Sequence, residues 1–237
     1  MKDTTFTLIS NRPVAKNTYE WVLSGDTKGI REGQFVNIKL DGFYLRRPIS
    51  VCDCEGDKLT LIFKVVGDGT KVMSEAKEGE KFLILTGLGN GYNLAKSGHA
   101  PLLIGGGAGV PPMYLAAKKL VAKGITPTVI LGFNTADEVF YKDEFETLGC
   151  KVLITTADGS VGIKGFVTNA MADLEYVMRT PWQAPRRREE HGAPARWSRN
   201  TRCARSRGRR SRRRAPREAR ISWLARRRRK RPPRRLS

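Results

Sequence analysis

The chain has 237 residues, 4 cysteines and a formal net charge of +21 at pH 7. Residues 1–176 carry 20 basic and 20 acidic side chains, whereas residues 177–237 carry 24 basic and 3 acidic ones. The second segment has no Phe, Tyr or Asp and contains runs of arginine, so we expect an arginine-rich, disordered tail. Nucleic-acid binding would therefore depend on this tail alone, and its arginines are expected to bind polyanions without specificity.

The abrupt change from lysine to arginine near Tyr176 suggests a change of reading frame. Met178 has the codon ATG, and a CG-type codon for Arg179 would give a Cys codon when read one base downstream. The next two codons then permit Gly and Pro. We therefore hypothesise that residues 177–237 are frame-shifted and that the other frame continues with Cys-Gly-Pro.

The N-terminal sequence and the number of cysteines indicate in which cellular compartment the protein is expected. Residues 1–5 lack the basic-then-apolar pattern of a signal peptide, and no stretch approaches ~18 uninterrupted apolar residues. Four cysteines in a chain of this length give no disulfide framework. These features predict a cytoplasmic protein that does not enter a membrane.

Short apolar and β-branched runs, separated by turn residues, occupy residues 1–97. This pattern predicts strands at residues 4–10, 18–23, 34–40, 49–52, 59–65 and 81–85. Six strands at this spacing predict a small antiparallel barrel. A single helix is predicted over residues 70–76, with Thr70 as its cap.

The pattern changes to alternating strands and helices after residue 97. Strands are predicted at residues 101–104, 128–132 and 151–156, and helices at residues 112–123 and 137–148. This is part of a doubly wound parallel sheet. Such a sheet continues for at least one more strand after residues 169–175, so we expect it to be truncated here. The predicted domains are 1–97, 98–176 and the tail 177–237.

The basic tetrapeptide Arg47-Pro48-Ile49-Ser50 lies on a predicted strand. Arg47 offers a planar set of donors that matches a pyrophosphate, and Ser50 adds a hydroxyl and a backbone N–H. Two residues apart on an extended strand, Arg47 and Ile49 share one face, and Pro48 and Ser50 share the other. A surface arginine beside a proline is the alternative interpretation.

Two glycine-rich segments follow predicted strands. Gly67-Asp68-Gly69-Thr70 precedes the short helix, and its backbone N–H groups can bind a phosphate at the helix N-terminus. The alternative is a turn whose glycines are needed only for positive φ. Gly105 to Gly109 stands between a buried strand and a proline-led helix, the position that binds a dinucleotide in α/β sheets. This loop departs from the G-x-G-x-x-G pattern, so it can also be a tight turn that binds no ligand. No acidic residue ends the next strand, so the sequence does not decide between NAD and NADP.

No catalytic side chain is predicted from the sequence. Cys52 and Cys54 share one face of a strand but have no second pair to complete a metal site. Cys150, Cys203 and the two histidines have no motif partners, and no nucleophile stands with a base, so hydrolase chemistry has no support.

Several motifs in order resemble the family of dihydroorotate dehydrogenase B electron transfer subunits, within the ferredoxin reductase-like superfamily. The resemblance covers about residues 1–176, and it rests on the segments at residues 46–50, 64–70, 87–92, 105–112 and 158–165. The series is more specific than any single motif in it.

The resemblance implies a flavoprotein that transfers electrons. FAD would be held by Arg47, Pro48, Ile49, Ser50, Ile62, Phe63, Lys64, Gly69 and Thr70. NAD would enter over Gly105, Gly106, Gly107 and Gly109. In this family, electrons from a partner flavoprotein that oxidises dihydroorotate pass through a [2Fe-2S] cluster to FAD and then to NAD+, in pyrimidine (UMP) biosynthesis.

The chain departs from the family in its last quarter. A [2Fe-2S] centre needs four thiolates, and Cys203 is the only cysteine after residue 150. The cluster ligands are therefore absent, and we expect the electron transfer function to be impaired. Two alternatives stay open: another ferredoxin-NAD(P) reductase-like flavoprotein subunit, or a protein that binds nucleic acid through its arginine tail.

Overall fold

The computed structural model describes residues 2–174 of the chain. The hypotheses on residues 177–237, namely disorder and a change of reading frame, lie outside the described residues. Within residues 2–174, no helix combines the length and the apolar character that crossing a bilayer requires.

Six antiparallel strands close into a barrel, which confirms the predicted architecture. They are β1 (Lys2–Ala15), β2 (Thr18–Ser24), β3 (Phe35–Ile38), β4 (Arg47–Glu55), β5 (Lys58–Lys64) and β6 (Lys81–Leu88). Their order around the barrel is β1-β2-β5-β4-β3-β6. Inward-facing side chains such as Phe6, Trp21 and Leu61 fill the interior and are fully buried.

Strands β4 and β5 are buried on both faces. Val51 pairs with Leu61, and both side chains belong to the barrel core. The neighbouring Cys52 and Ile62 belong to a second buried cluster that the α/β sheet also fills. A bulge between Val51 and Asp53 interrupts the pairing. Because both faces are covered, β4 does not alternate regularly, and its predicted range of 49–52 was too short.

The helix after β5 is α1 (Asp68–Glu75), which begins two residues before its predicted start. Gly67 is the N-terminal cap, so the prediction that Thr70 occupies that position was wrong. Thr70 is the third helical residue instead, and its hydroxyl accepts hydrogen bonds from the N–H groups of Val66 at 2.9 Å and Gly67 at 3.2 Å. The Thr70 side chain, although it is within the helix, thus stabilises the turn that precedes it.

A four-stranded parallel sheet follows the barrel, as predicted. Its strands are β7 (Leu102–Gly106), β8 (Thr128–Phe133), β9 (Lys151–Thr156) and β10 (Ile163–Lys164), in the order β10-β9-β8-β7. Its helices are α2 (Pro111–Val121), α3 (Lys142–Thr147) and α4 (Val167–Asp173). The strand order does not reverse within the described residues, so the doubly wound topology stays a prediction.

Helices cover both faces of this sheet. Leu131 shares a buried cluster with Ala117 of α2 and Phe145 of α3. The next residue, Gly132, faces the other way, because a Cβ there would lie 2.6 Å from Cγ1 of Val167 in α4. This is the layered arrangement expected of an α/β domain.

The prediction of one continuous helix over residues 137–148 was wrong. The segment contains a 3-10 turn at Ala136–Glu138 and the six-residue helix α3, separated by Tyr141 with φ of +65°. A left-handed residue interrupts helical geometry. This conformation directs Tyr141 toward the barrel, where its hydroxyl donates a 2.7 Å hydrogen bond to Oε2 of Glu20.

Glu20 is the centre of a buried polar network between barrel and sheet. Its carboxylate is on β2, its residue is 4% exposed, and its Oε1 accepts a 2.7 Å hydrogen bond from Nε of Arg12. Burial, followed by the charges of Cys52 and Glu20, raises the pKa of Tyr141 well above its ordinary value. The phenol therefore stays protonated and donates to the carboxylate.

Replacing Tyr141 by Phe should destabilise the fold, because Glu20 loses a buried hydrogen bond. We expect the free energy of unfolding to fall by about 1–3 kcal/mol at pH 7 in urea titrations. The difference from wild type should shrink above about pH 10, where the phenol ionises in the unfolded chain but resists ionisation when folded. Tyr114→Phe is the control, because that hydroxyl makes no hydrogen bond within residues 2–174. Equal stability of Tyr141→Phe and wild type at pH 7 would contradict the network.

Candidate functional site

A cleft runs between β5 of the barrel and the carboxyl ends of the parallel strands. One part is lined by Thr18, Ile62, Phe63, Lys64, Gly107, Ala108, Pro111, Phe133, Glu138 and Phe140. A cavity of about 320 Å³ adjoins it, and among its lining residues are Gly106, Gly132, Asn134, Thr155 and Phe166. The carboxyl edge of a parallel sheet is where α/β proteins bind their ligands.

Arg47, at the start of β4, lies against the first turn of α1. A Cβ on Gly69 would stand 2.0 Å from Nε and 2.6 Å from Cζ of Arg47, so only glycine leaves room for the guanidinium there. Nη1 of Arg47 donates a 2.8 Å hydrogen bond to the carbonyl of Leu45. The guanidinium carbon also stands 4.8 Å from the ring centroid of Phe43. These contacts bring together Arg47, Gly69 and Thr70, which are distant in sequence.

The two adjacent arginines have different surroundings. Arg46 binds the carboxylate of Asp3 with both terminal nitrogens, at 2.6 and 3.1 Å, and this hydrogen bonding lowers the pKa of Asp3. No carboxylate lies within salt-bridge distance of Arg47 in the described part of the chain. Arg46 is therefore neutralised by the barrel, whereas the charge of Arg47 remains available to a ligand.

Arg47 stands near the positive end of the α1 dipole, which the exposed Asp68 of the first turn partly offsets. Gly67 has no side chain to accept from the first-turn N–H groups of α1, which form the positive end of the helix dipole. A cation at that end costs about 0.3–1 kcal/mol. An anion that contacts both Arg47 and the helix would instead gain hydrogen bonds to charged groups, each about 1.5–3 kcal/mol. The arrangement therefore fits a phosphate.

The remaining residues of the predicted flavin site divide between the two faces of the barrel wall. Ile49 packs against the barrel core, and the ring of Phe63 lies edge-on to Trp21 at 5.5 Å. The side chain of Phe63 is therefore occupied, and only its backbone can reach a ligand. Ile62 and Lys64 line the cleft, whereas Pro48 is exposed and Ser50 is half-buried.

An ion pair that the sequence did not predict crosses the cleft. Nζ of Lys64 lies 2.5 Å from Oε1 of Glu138, and Nδ2 of Asn134 donates to Oε2 at 2.8 Å. The bond from Lys64 lowers the pKa of the Glu138 carboxyl. The sequence has no acidic residue at the end of β8 itself. The short turn after the strand returns Glu138 to that edge, five residues beyond Phe133.

The glycines of the predicted dinucleotide loop have distinct surroundings. A Cβ on Gly105 would stand 2.7 Å from the carbonyl oxygen of Gly109, so Gly105 is required by the tight turn itself. Gly106 and Gly107 line the cleft, whereas Gly109 does not. Pro111 and the proline after it begin α2 and supply no N–H. An anion must therefore be bound by N–H groups of the loop.

Metal or thiol chemistry finds no support in residues 2–174. They contain no group of three His, Cys, Asp or Glu side chains that could hold a metal ion. Cys52 and Cys150 are buried, and desolvation raises the pKa of both thiols, which makes them poor nucleophiles. The cleft can bind and align ligands. Among the described residues that line it, no side chain is identified as a nucleophile for covalent catalysis.

Comparison with known proteins found curated relatives along most of the described chain, although no family model matches. Three are each named dihydroorotate dehydrogenase B (NAD(+)), electron transfer subunit. The one from Bacillus pumilus is 41% identical over 182 residues, which are 73% of this chain and 70% of the relative. Those from a Geobacillus species and from Fusobacterium nucleatum are both 44% identical, and cover 72% and 74% of this chain and 70% and 71% of the relatives.

Solved structures share the same architecture. An NADH-dependent reduced ferredoxin-NADP oxidoreductase matches with a TM-score of 0.66 and 32% identity, over 73% of this chain and 64% of that chain. Phthalate dioxygenase reductase matches with a TM-score of 0.57 and 20% identity, over 66% of this chain and 52% of that chain, and this shows the fold alone. The barrel, the sheet and the curated relatives agree: the chain belongs to the family of dihydroorotate dehydrogenase B electron transfer subunits, which are flavin-dependent oxidoreductase subunits.

Proposed function

We propose that the chain binds FAD on its barrel and transfers electrons from a dihydroorotate-oxidising partner subunit to NAD+, in pyrimidine (UMP) biosynthesis. The relatives' name supports the partner and the acceptor. Residues 1–97 form the FAD-binding domain in this proposal, and residues 98–176 form the NAD-binding domain. The observation that carries it is the guanidinium of Arg47 against the first turn of α1, with no carboxylate partner within residues 2–174.

The FAD site follows from the two kinds of contact around Arg47. The pyrophosphate is held jointly by the guanidinium and by the N–H groups of Gly69 and Thr70, which lie side by side. Ser50 adds its hydroxyl, while Pro48, Ile49, Ile62, Lys64 and the backbone of Phe63 form the wall. Bound FAD supplies the ability to accept and release electrons singly or as hydride.

The NAD site lies across the cleft from that wall. Gly106 and Gly107 present backbone N–H groups to the dinucleotide, and Gly105 and Gly109 shape the turn. Phe133 and Phe140 give the cleft an apolar lining that excludes water. The Lys64–Glu138 pair fixes a charged side chain from each half at the place where the two cofactors meet.

Replacing Arg47 by Ala tests the pyrophosphate assignment. We expect the dissociation constant for FAD to rise about 10- to 100-fold, because a charge-assisted hydrogen bond is worth about 1.5–3 kcal/mol. Flavin fluorescence titration of the apoprotein measures this. Arg46→Ala is the matched control and should bind FAD as wild type does, since Arg46 is paired with Asp3. Equal affinities in Arg47→Ala and wild type would remove the basis of the proposal.

Replacing Gly106 by Leu tests the NAD side separately. A Cβ there meets only the Gly132 carbonyl at 3.7 Å, so the substitution is tolerated by the backbone and its side chain fills the cleft. We expect anaerobic reduction of bound FAD by NADH to slow by about tenfold or more, with FAD affinity unchanged. Stopped-flow absorbance measures the rate, and Lys151→Leu, at the opposite edge of the sheet, is the control. An unaltered rate would place NAD elsewhere.

The iron-sulfur centre of the family is not expected in this chain. Cys52 and Cys150 are buried in the apolar cluster below the cleft, and the tail supplies only Cys203. The frame shift hypothesised for residues 177–237 would account for the missing ligands and for impaired transfer from the partner. We expect the purified chain to contain flavin without iron or acid-labile sulfide. About two iron atoms per flavin would contradict this.

A second candidate is a flavoprotein subunit of another reductase complex. Its support is the 32% identity with the NADH-dependent reduced ferredoxin-NADP oxidoreductase. Co-purification with a dihydroorotate-oxidising subunit distinguishes the two, because only the first proposal requires that partner.

A further inference from the structure

Asn11, on β1, is bonded to the carboxyl end of helix α1, more than 60 residues later in the chain. Its Nδ2 donates to the carbonyls of Met73 at 3.3 Å, Ser74 at 3.0 Å and Ala76 at 2.9 Å. These carbonyls belong to the last turn and the cap of the helix, and the Met73 carbonyl also accepts a 3.3 Å hydrogen bond from the N–H of Ala76. A single side-chain amide from the barrel therefore holds the end of the helix.

The orientation of this amide is set by its surroundings. Its Oδ1 is buried and accepts no hydrogen bond from residues 2–174, although buried polar atoms normally have partners. The reversed orientation would place that oxygen against three carbonyl oxygens. The unpartnered acceptor is thus the cost of directing the donor group at all three carbonyls. An apolar residue would avoid this cost, and it would leave the helix end without a donor from β1.

Few other contacts fix the position of α1. The helix has eight residues, which is too short for stability on its own. No basic residue occupies its last turn, and only Met73 of that turn is buried. The indole N–H of Trp21 donates to the carbonyl of Met73 at 3.2 Å. Asn11 and Trp21 together attach the helix to the barrel.

The other end of the same helix faces Arg47. An eight-residue helix is about 12 Å long, so three hydrogen bonds at its carboxyl end restrict the directions in which its amino end can point. We propose that Asn11 is a positioning residue for the anion site: by holding the carboxyl end of α1, it keeps the N–H groups of Gly69 and Thr70 in register with the guanidinium of Arg47. The inference rests on the proposed function, because it takes the FAD pyrophosphate as the anion.

Asn11→Asp and Asn11→Ala test the proposal. Asp keeps the size of the side chain and removes its donor, while Ala removes both. We expect either change to raise the dissociation constant for FAD about tenfold in fluorescence titrations well below the melting temperature. Asn11→Ser, which keeps one donor, replaces Asn11→Ala if that variant does not fold.

Two controls separate positioning from stability. Thr4→Val alters the same strand at a buried hydroxyl that has no hydrogen-bond partner in the part of the chain that the structure describes. Tyr141→Phe destabilises the fold away from α1. Both should bind FAD within about twofold of wild type, even where the melting temperature falls. The inference is overturned if the Asn11 variants bind FAD as well as these controls do, since their role is then structural alone.

The titrations also separate this inference from the proposed function. Absence of FAD binding in the wild-type chain, or an unchanged affinity in Arg47→Ala, overturns the proposed function and this inference with it. Tight binding in wild type, weak binding in Arg47→Ala and unchanged binding in the Asn11 variants overturn the role of Asn11 alone.

Discussion

The contact between the Arg47 guanidinium and the first turn of α1 organises the barrel half of the site. The guanidinium meets the amino end of α1 there, and two features accommodate it: glycine at position 69 of the helix and the carbonyl acceptor of Leu45 just before β4. Neither contact neutralises the arginine, whereas its neighbour Arg46 is neutralised by Asp3. A surface built only for stability would favour the second arrangement. An arginine at a helix N-terminus, with no carboxylate partner among residues 2–174, is able to bind an anion.

The barrel and the parallel sheet are joined through β4 and β5, whose side chains contribute to the buried clusters of both. Side chains of β4 and β5 alternate between the barrel core and the cluster that includes α2 and α3. Moving either half would expose apolar surface on both faces of one strand pair, at roughly 25 cal/mol for each Å². The wall assigned to FAD and the loop assigned to NAD are consequently held at a fixed separation. Electron transfer between cofactors needs such a fixed geometry.

Sequence patterns predicted the features that depend on local rules. Strand alternation gave the barrel, and the strand-glycine-helix order placed Gly106 and Gly107 at the carboxyl edge of the sheet. Contacts between distant segments were not predictable, because neither the periodicity of apolar residues nor the composition indicates which distant residues meet. Glu138 reaches Lys64 because a short 3-10 turn after β8 returns the chain to the edge of the sheet, in a segment whose pattern is helical. The bonds from Asn11 to α1 likewise join residues that no motif connects.

Ion pairs strengthen the same junction between barrel and sheet. Lys118 of α2 bonds Asp53 and Glu55 of β4, and the next residue of α2, Lys119, bonds Glu32. An exposed pair contributes little alone, with a median near 0–1 kcal/mol, so these contacts cannot replace the shared apolar cluster. Their directionality is what matters. Apolar contacts resist separation but permit sliding, whereas two consecutive lysines bonded to carboxylates on different segments fix the rotation of α2. Because α2 follows the glycine loop directly, that rotation also affects the direction of the loop's N–H groups relative to β5.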